Sequence, residues 1–223
     1  MRAWAFEHGT VWAMDLAEAS PAPVLPRVAA RFEEAHADAV EALAQAMGSS
    51  NSESIRRRLA TGRRCFTMRV GESIVAYGWT SQASECIGEL EREIQIGPGE
   101  AYVWDCATLP AHRRLRLYSA LLSQIVVQLR GEGVRRIWIG TSVYNQPSLR
   151  AFANAGFEPV AEALYMRVLN LGGLRVTGQR GAPAPSVSAA RRALTADHER
   201  RWGSMLIGIA RSLPLPACAQ LEG

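Results

Sequence analysis

The chain has 223 residues, of which 48% are hydrophobic, enough for one domain with a full core and an appended segment. All 25 basic residues are arginine and the net charge is only +4; the arginine clusters are not interleaved with aromatic residues, so no nucleic-acid binding is predicted. The sequence contains no long apolar run and no charged segment followed by an apolar core. We therefore predict neither a membrane span nor a signal peptide, and we expect a cytoplasmic location.

The cysteine pattern argues against a metal site. Cys65, Cys86, Cys106 and Cys218 lie far apart, and none belongs to a C-x-x-C motif or has a nearby histidine partner. Such spacing predicts neither a zinc site nor a disulfide framework, and we expect the cysteines to be reduced. The lack of a cysteine with an obvious base partner also disfavours a covalent enzyme intermediate.

The N-terminal half predicts a strand, two helices and a β-hairpin in chain order. A strand over residues 10–16 is followed by a proline-rich turn, and apolar residues at helical spacing predict a helix over residues 28–47. A Ser-Ser-Asn-Ser run then caps a short second helix. Residues 65–70 and 74–80 predict a hairpin, and residues 87–96 are expected to continue its sheet.

Three glutamates in the last of these segments alternate with other residues. As part of a strand, Glu89, Glu91 and Glu93 would share one face. That face could attract a cationic acceptor such as a polyamine, an aminoglycoside-like amine or a lysine-type group. The alternative is an acidic solvent face, because antiparallel sheets commonly keep one face wet.

The central stretch is the most informative part of the chain. Residues 101–108 are dense in aromatic and β-branched residues, which predicts a strand that ends at a Leu-Pro pair. Arg113, Arg114 and Arg116 then lead into a helix with apolar residues at helical spacing. The start of a helix offers unpaired N–H groups and the positive end of the dipole, and the guanidinium groups add charge, so this turn suits a pyrophosphate.

Two motifs in this stretch carry a family resemblance. Residues 106–118 read CATLPAHRRLRLY, and residues 145–148 read NQPS, followed by Phe152 and a Gly-Phe pair at 156–157. Together they resemble the GNAT superfamily of acyl-CoA-dependent N-acetyltransferases, which carry a strand, Pro and Arg-Gly-x-Gly-x-Gly/Ala, then Asn-x-x-Ala/Ser, an aromatic residue and Gly-Phe. The resemblance covers about residues 27–169.

The resemblance implies an α/β fold with a GNAT-like splayed, mostly antiparallel mixed β-sheet and helices on both faces. The splay would open between the strand at 101–108 and a strand at 137–141, and acetyl-CoA or another acyl-CoA would bind there as co-substrate. By this resemblance the cofactor-binding residues are Cys106, Ala107, Thr108, Arg113, Arg114, Leu115, Arg116, Leu117, Tyr118, Ser119, Asn145 and Ser148.

The chain departs from the family pattern at both loop glycines and at the aromatic position. Arg114 and Arg116 replace the glycines, and we expect helical φ/ψ there, with the amides still directed at a phosphate. Phe152 stands where many members carry a tyrosine proposed to protonate the departing thiolate. The remaining nearby phenols are Tyr118 and Tyr144. We favour Tyr144, at the end of a strand, over its alternative role of packing on the following helix.

Two carboxylates are candidates for the base that deprotonates an amine acceptor. Glu100 occupies a position used for the base in some GNAT members, and its alternative role is to close a Gly-Pro-Gly turn. Asp105 lies in an apolar run, and its alternative role is a structural carboxylate paired to an arginine. The predicted catalytic residues are therefore Glu100, Asp105 and Tyr144.

The last fifty or so residues fall outside the resemblance. We predict an N-acyltransferase domain over residues 1–175, a linker over 176–187 and a helical appendage over 188–223. The appendage could pack on the same domain, contact a homodimer partner or lie on a membrane surface.

Three functions remain open from the sequence. The first is an N-acetyltransferase that moves an acetyl or related acyl group from acyl-CoA to a primary amine, on a small molecule or a peptide, by direct attack in a ternary complex. The second is a catalytically degenerate acyl-CoA-binding sensor or scaffold protein. The third is a transferase of the same fold with an aminoacyl-tRNA donor, in which the arginine clusters would contact RNA.

Overall fold

The structure is a computed structural model that describes residues 4–17, 22–48, 52–169, 171–195, 200–202 and 205–209. Its strands are Trp4–Asp15 (β1), Arg31–Ala35 (β2), Arg64–Val70 (β3), Ser73–Ser81 (β4), Ser84–Ile87 (β5), Arg92–Gln95 (β6), Glu100–Thr108 (β7), Arg136–Ser142 (β8), Glu158–Val168 (β9), Leu171–Gly178 (β10), Arg200–Trp202 (β11) and Met205–Ile209 (β12). Its helices are Val40–Met47 (α1), Ser52–Ala60 (α2), Leu117–Gly131 (α3), Gln146–Asn154 (α4) and Ala184–Leu194 (α5).

Within the described residues, ten strands form one sheet in the order β11-β12-β10-β9-β1-β8-β7-β4-β3-β2. All neighbours are antiparallel except β7 and β8, which are parallel. Side chains alternate between the faces, so Ile137 and Ile139 of β8 pack under α3 and α4, whereas Trp138 packs on the opposite face with α5. The predicted mixed, mostly antiparallel sheet with helices on both faces is confirmed.

Helix α3 carries the core of the first face. Its apolar stripe is at most 1% exposed to solvent at Leu117, Leu121, Ile125 and Leu129. This confirms the prediction from helical spacing. The second face is packed by two clusters, one under α1 and α2 around Trp79 and one under α5.

The N-terminal strand takes a place in the sheet that the sequence did not indicate. β1 lies between β8 and β9, with Gly9 opposite Ser142 on one side and opposite Ala163 on the other. Residues 158–168 form one strand, β9, and its two neighbours are β1 and β10. Pairing partners so distant in sequence are set by the tertiary structure rather than by local pattern.

Two local predictions are wrong, and so is the expectation that all the cysteines are reduced, because Cys86 is disulfide-bonded. Residues 31–35 form β2 on the edge of the sheet instead of the first part of a helix, because they pair with β3 and place Glu33 and Glu34 beside Arg69 and Arg64. Residues 87–96 do not continue the main sheet: β5 and β6 form a separate two-stranded sheet around a short 3-10 segment, Gly88–Leu90.

The C-terminal part packs on the domain as far as it is described. β10 pairs with β9 along its length, and α5 packs against β6, β9 and β10. The predicted linker 176–187 is thus shortened at both ends, since residues 176–178 belong to β10 and residues 184–187 to α5. The predicted helical appendage 188–223 is helical only as far as Leu194, because its next described residues, 200–202 and 205–209, form strands β11 and β12 at the edge of the main sheet. The rest of this segment lies outside the described residues. No described helix is long and apolar enough to cross a membrane.

Candidate active site

The parallel strands β7 and β8 separate halfway along their length. They pair from Glu100 opposite Arg136 to Val103 opposite Ile139, and the pairing stops there although both strands continue. A cavity of about 820 Å³ opens at this point, lined by residues 104–106 of β7 and residues 140–142 of β8. This is the splay that the family resemblance implied, and it exposes one backbone edge of β7 to a ligand.

A β-bulge shapes β7 where the cavity begins. Tyr77 pairs with Ala107 and Trp79 with Trp104, so Asp105 and Cys106 lie together opposite Gly78. Asp105 adopts a left-handed backbone conformation with φ 43°. A Cβ on Gly78 would lie 2.8 Å from the Cys106 Sγ atom, so the glycine leaves the room that the bulge needs.

Asp105 is paired with an arginine. The Arg58 Nη1 atom donates to the Asp105 Oδ2 atom at 2.5 Å, and the Arg58 side chain is only 5% exposed. Its guanidinium carbon lies 5.1 Å and 4.8 Å from the ring centroids of Trp79 and Trp104, an arrangement that stabilises a desolvated cation. Asp105 therefore has the structural pairing considered as its alternative role, and it also lines the cavity.

Sequence reasoning missed Arg58, although α2 contained a signal for it. The buried residues of this helix are Ser54, Ile55 and Arg58. Since residues three and four apart share a helix face, Arg58 lies on the buried face beside Ile55. An arginine on that face needs a buried acceptor or an aromatic neighbour.

The structure does not bring Glu100 to the cavity. Its carboxylate accepts a hydrogen bond from Trp138 Nε1 at 2.7 Å and one from Arg136 Nη1 at 3.4 Å. It lies at the start of β7, where the strands are still paired, and it is not among the residues that line the cavity.

The arginine turn keeps a glycine-like backbone without glycine. Arg114 and Arg116 have φ values of 66° and 59°. These lie in the left-handed region, which residues other than glycine rarely adopt. Our expectation of helical φ/ψ at these positions is wrong. Arg116 directly precedes α3 as its N-cap, so the loop presents the first N–H groups of that helix with Arg113, Arg114 and Arg116 exposed around them.

Helix α4 begins at the opposite wall of the cavity. The Asn145 Oδ1 atom accepts a hydrogen bond from the Ser148 N–H at 3.3 Å, and Asn145 Nδ2 donates to Thr141 Oγ1 at 3.1 Å. The N-cap thus fastens α4 to the end of β8. Both Asn145 and Ser148 line the cavity, opposite Cys106.

One phenol reaches the cavity from the start of α3. The Tyr118 side chain lies beside those of Cys106 and Ser148 in the cavity wall, and burial, followed by the neighbouring Cys106, raises the pKa of its phenol well above the usual value. Its ring packs edge to face on Phe152, with centroids 6.3 Å apart. Tyr144, which the sequence favoured, is 76% exposed and is not among the residues that line the cavity.

The side of the cavity away from α3 and α4 is covered by the β5–β6 hairpin and by α5. Ile87, Ile94 and Ile96 come from the hairpin, and Ala190 and Ala193 come from α5. The Arg92 Nη1 atom of β6 donates to the carbonyl of Leu194 at 2.6 Å. The hairpin and helix are therefore tied together over the cavity.

The acidic face predicted for this hairpin does not form. Glu89 lies in the 3-10 segment, Glu91 has a left-handed φ of 49°, and β6 includes only Glu93. Glu91 is bound by Arg167 Nε at 2.7 Å and by the Tyr165 hydroxyl at 2.9 Å. Only Glu89 of the three glutamates lines the cavity, so they do not form a shared site for a cation.

Comparison with known proteins agrees with this geometry. Residues 30–157, more than half of the chain, match the family model of the acetyltransferase (GNAT) family. The chain is similar to an acetyltransferase of the GNAT family from Colwellia psychrerythraea, with 12% identity and a TM-score of 0.53 over 73% of this chain and 56% of that one. It is also similar to a GCN5-related N-acetyltransferase from Sphaerobacter thermophilus, with 16% identity and a TM-score of 0.54 over 74% and 52%.

These structural similarities concern the fold alone, because the identities are low. The chain spans about half the length of both of these proteins. No curated protein matches the sequence. The family match ends at residue 157, so α5, which lines the cavity, lies beyond it.

Proposed function

Because the chain belongs to the GNAT family of acetyltransferases, we propose that it transfers an acetyl or related acyl group from acyl-CoA to a primary amine. The observation that carries this proposal is the splay between β7 and β8, with a cavity that opens where their pairing ends. A binding cleft of this kind gives an acyl thioester and an amine a shared site, and holding two reactants together is a major source of rate acceleration.

In this proposal the cofactor lies along β7 and the start of α3. The pantetheine arm would pair with the open backbone edge at Cys106, Ala107 and Thr108. The pyrophosphate would lie at the N-terminal end of α3, at the amides of residues 115–119, where the helix dipole favours an anion. Arg113, Arg114 and Arg116 would add charge-assisted hydrogen bonds.

The amine would enter from the side covered by α5 and the hairpin. Asp105 is the candidate carboxylate that lines the cavity, so we assign it the role of drawing the amine toward the thioester and accepting its proton directly or through water. The walls on this side are largely apolar, with Ile87, Ile94 and Ala193 among them. An amine attached to an apolar body suits this compartment better than a polycation does.

The thiols of the site favour direct attack over an acyl-enzyme. Burial raises the pKa of Cys106 and of Cys65 above the usual range of a thiol. A thiol kept protonated is a poor nucleophile. The acyl group therefore passes from sulfur to the amine nitrogen in one ternary complex.

Calorimetric titration with acetyl-CoA and CoA is the first test. We expect micromolar binding of both, followed by release of free CoA thiol when a panel of primary amines with apolar and polycationic bodies is added. Failure of the purified protein to bind either CoA compound would overturn the proposal.

A second candidate, an acyl-CoA-binding protein without turnover, is favoured by the arginines at both glycine positions and by Phe152. The same experiment separates the two, because this candidate predicts binding without thiol release for every amine. A third, transfer from aminoacyl-tRNA, loses its support: Arg56, Arg63 and Arg64 of the arginine clusters are bound to carboxylates of this chain.

A further inference from the structure

Tyr118 joins the two walls of the splay. It is the second residue of α3, and its phenol lies beside Cys106 on β7 and Ser148 on α4, which line the cavity with it. In the proposed complex the thioester sulfur passes between these walls. The phenol is thus the polar group that meets the sulfur from the α3 side of the cavity.

We propose that Tyr118 donates the proton that the CoA thiolate takes up as it leaves. The inference rests on the proposed function. Phe152, at the position where the family often has a tyrosine, is 1% exposed and has no proton to give. Its ring instead packs edge to face on the ring of Tyr118, at 6.3 Å between centroids.

The other tyrosines near the cavity are less suitable. Tyr102 pairs opposite Trp138, in the part of β7 that is still joined to β8, and it belongs to the cluster under α5. Tyr77 belongs to the cluster under α1 and α2. Tyr144 is exposed and lies outside the cavity.

The proton balance of the step is complete. The amine nitrogen forms a bond to the acyl carbon and loses one proton to Asp105 or to water. The carbon–sulfur bond breaks, its electron pair stays on sulfur, and the phenol O–H proton moves to that sulfur, which leaves as the CoA thiol. The phenolate then takes a proton back through the neighbouring Ser148 hydroxyl, which is only partly buried.

The environment of Tyr118 keeps the donor form populated. Burial raises the pKa of this phenol, so it remains protonated at neutral and moderately alkaline pH. A neutral phenol is stabilised by giving a hydrogen bond to a developing anion, and bonds of this charge-assisted kind are the stronger ones.

The test compares the binding of CoA with that of desulfo-CoA between pH 6.5 and 9.5, so it needs no amine. A phenol that donates to the thiolate lowers the pKa of the bound thiol, so the preference for CoA over desulfo-CoA should increase about tenfold across this range. The variant Tyr118→Phe, which keeps the ring on Phe152, should bind both compounds at pH 6.5 and show no such increase. Tyr144→Phe, the matched change at the competing tyrosine, should behave as wild type.

Each result is decisive. A wild-type preference that does not change with pH overturns the role of Tyr118 even if the variant fails to fold. The role is also overturned if the pH-dependent preference for CoA survives in Tyr118→Phe or disappears in Tyr144→Phe. Equal loss of CoA and desulfo-CoA binding in Tyr118→Phe overturns it as well. By contrast, no binding of CoA or acetyl-CoA by the wild type contradicts the proposed function itself.

Discussion

Replacing Arg114 and Arg116 by glycine should stabilise the fold while weakening the cofactor site. Both residues have positive φ, and the left-handed conformation costs an L-residue about 1–2 kcal/mol. Glycine removes this strain but adds about 0.5–1 kcal/mol of conformational entropy to the unfolded chain. The net gain is about 0.5–1 kcal/mol per site, so the double variant should melt about 2–8 °C higher.

The same change removes two exposed cations from the proposed pyrophosphate site. Charge-assisted hydrogen bonds contribute about 1.5–3 kcal/mol when well formed, and solvent screening reduces this at an exposed position. We expect acetyl-CoA to bind about tenfold more weakly to the double variant at low salt. The difference from wild type should shrink as salt is raised.

Arg113 provides the matched control, because it is the adjacent arginine but has an ordinary φ of −66°. Arg113→Gly should lower the melting temperature, since glycine brings its entropy cost without relieving strain. The measurements are thermal unfolding by circular dichroism and calorimetric titration with acetyl-CoA. If Arg114→Gly and Arg116→Gly destabilise the fold as much as Arg113→Gly does, the argument from backbone strain is wrong.

Four further predictions concern the bulge, the buried ion pair, the acceptor side and the buried thiol. Gly78→Ala should destabilise by about 1–3 kcal/mol in urea unfolding, because its Cβ meets the Cys106 Sγ atom, and adding Cys106→Ala should restore most of the loss. Arg58→Met should cost about 2–4 kcal/mol because it leaves Asp105 without its partner, and a smaller penalty in the Asp105→Asn background would support the pairing. Ala193→Phe should raise the KM of an accepted amine while the acetyl-CoA Kd stays unchanged, because Ala193 lines the cavity from α5; a change in Kd alone would contradict this. Burial raises the pKa of the Cys106 thiol in the folded protein, so the thiol of the unfolded chain ionises first as pH rises. The contribution of Cys106 to folding stability is therefore present below about pH 8.5 and is lost at higher pH. Between about pH 7 and 9.5 the urea midpoint of Cys106→Ala should fall less than that of the wild type.

The sequence predicted the elements whose signals are local. The apolar stripe of α3 and the β3–β4 hairpin are visible as helical periodicity and as turn residues between two apolar runs. The motifs around them were sufficient to predict the splay, because the family resemblance implies how the strands on either side of it are arranged.

Features that depend on distant pairing were not predictable in the same way. Residues 31–35 share a helical apolar pattern with α1, yet they form a strand because β3 offers them a partner edge with Arg64 and Arg69 opposite two glutamates. The place of β1 between β8 and β9 depends on contacts across more than 120 residues. The choice between Tyr118 and Tyr144 depended on the direction of each side chain, which neighbouring residues in the sequence do not determine.

Backbone strain in this fold is concentrated where the cofactor is proposed to lie. Five non-glycine residues have positive φ in the described part of the chain, and three of them, Asp105, Arg114 and Arg116, lie at the bulge of β7 and in the turn before α3. Strained residues persist when the surrounding structure holds them, and they cluster at functional sites. A chain that had lost its ligand would gain stability by relaxing this turn. The retained left-handed backbone, without glycine to make it easy, therefore favours a loop still used to bind an anion at the start of α3.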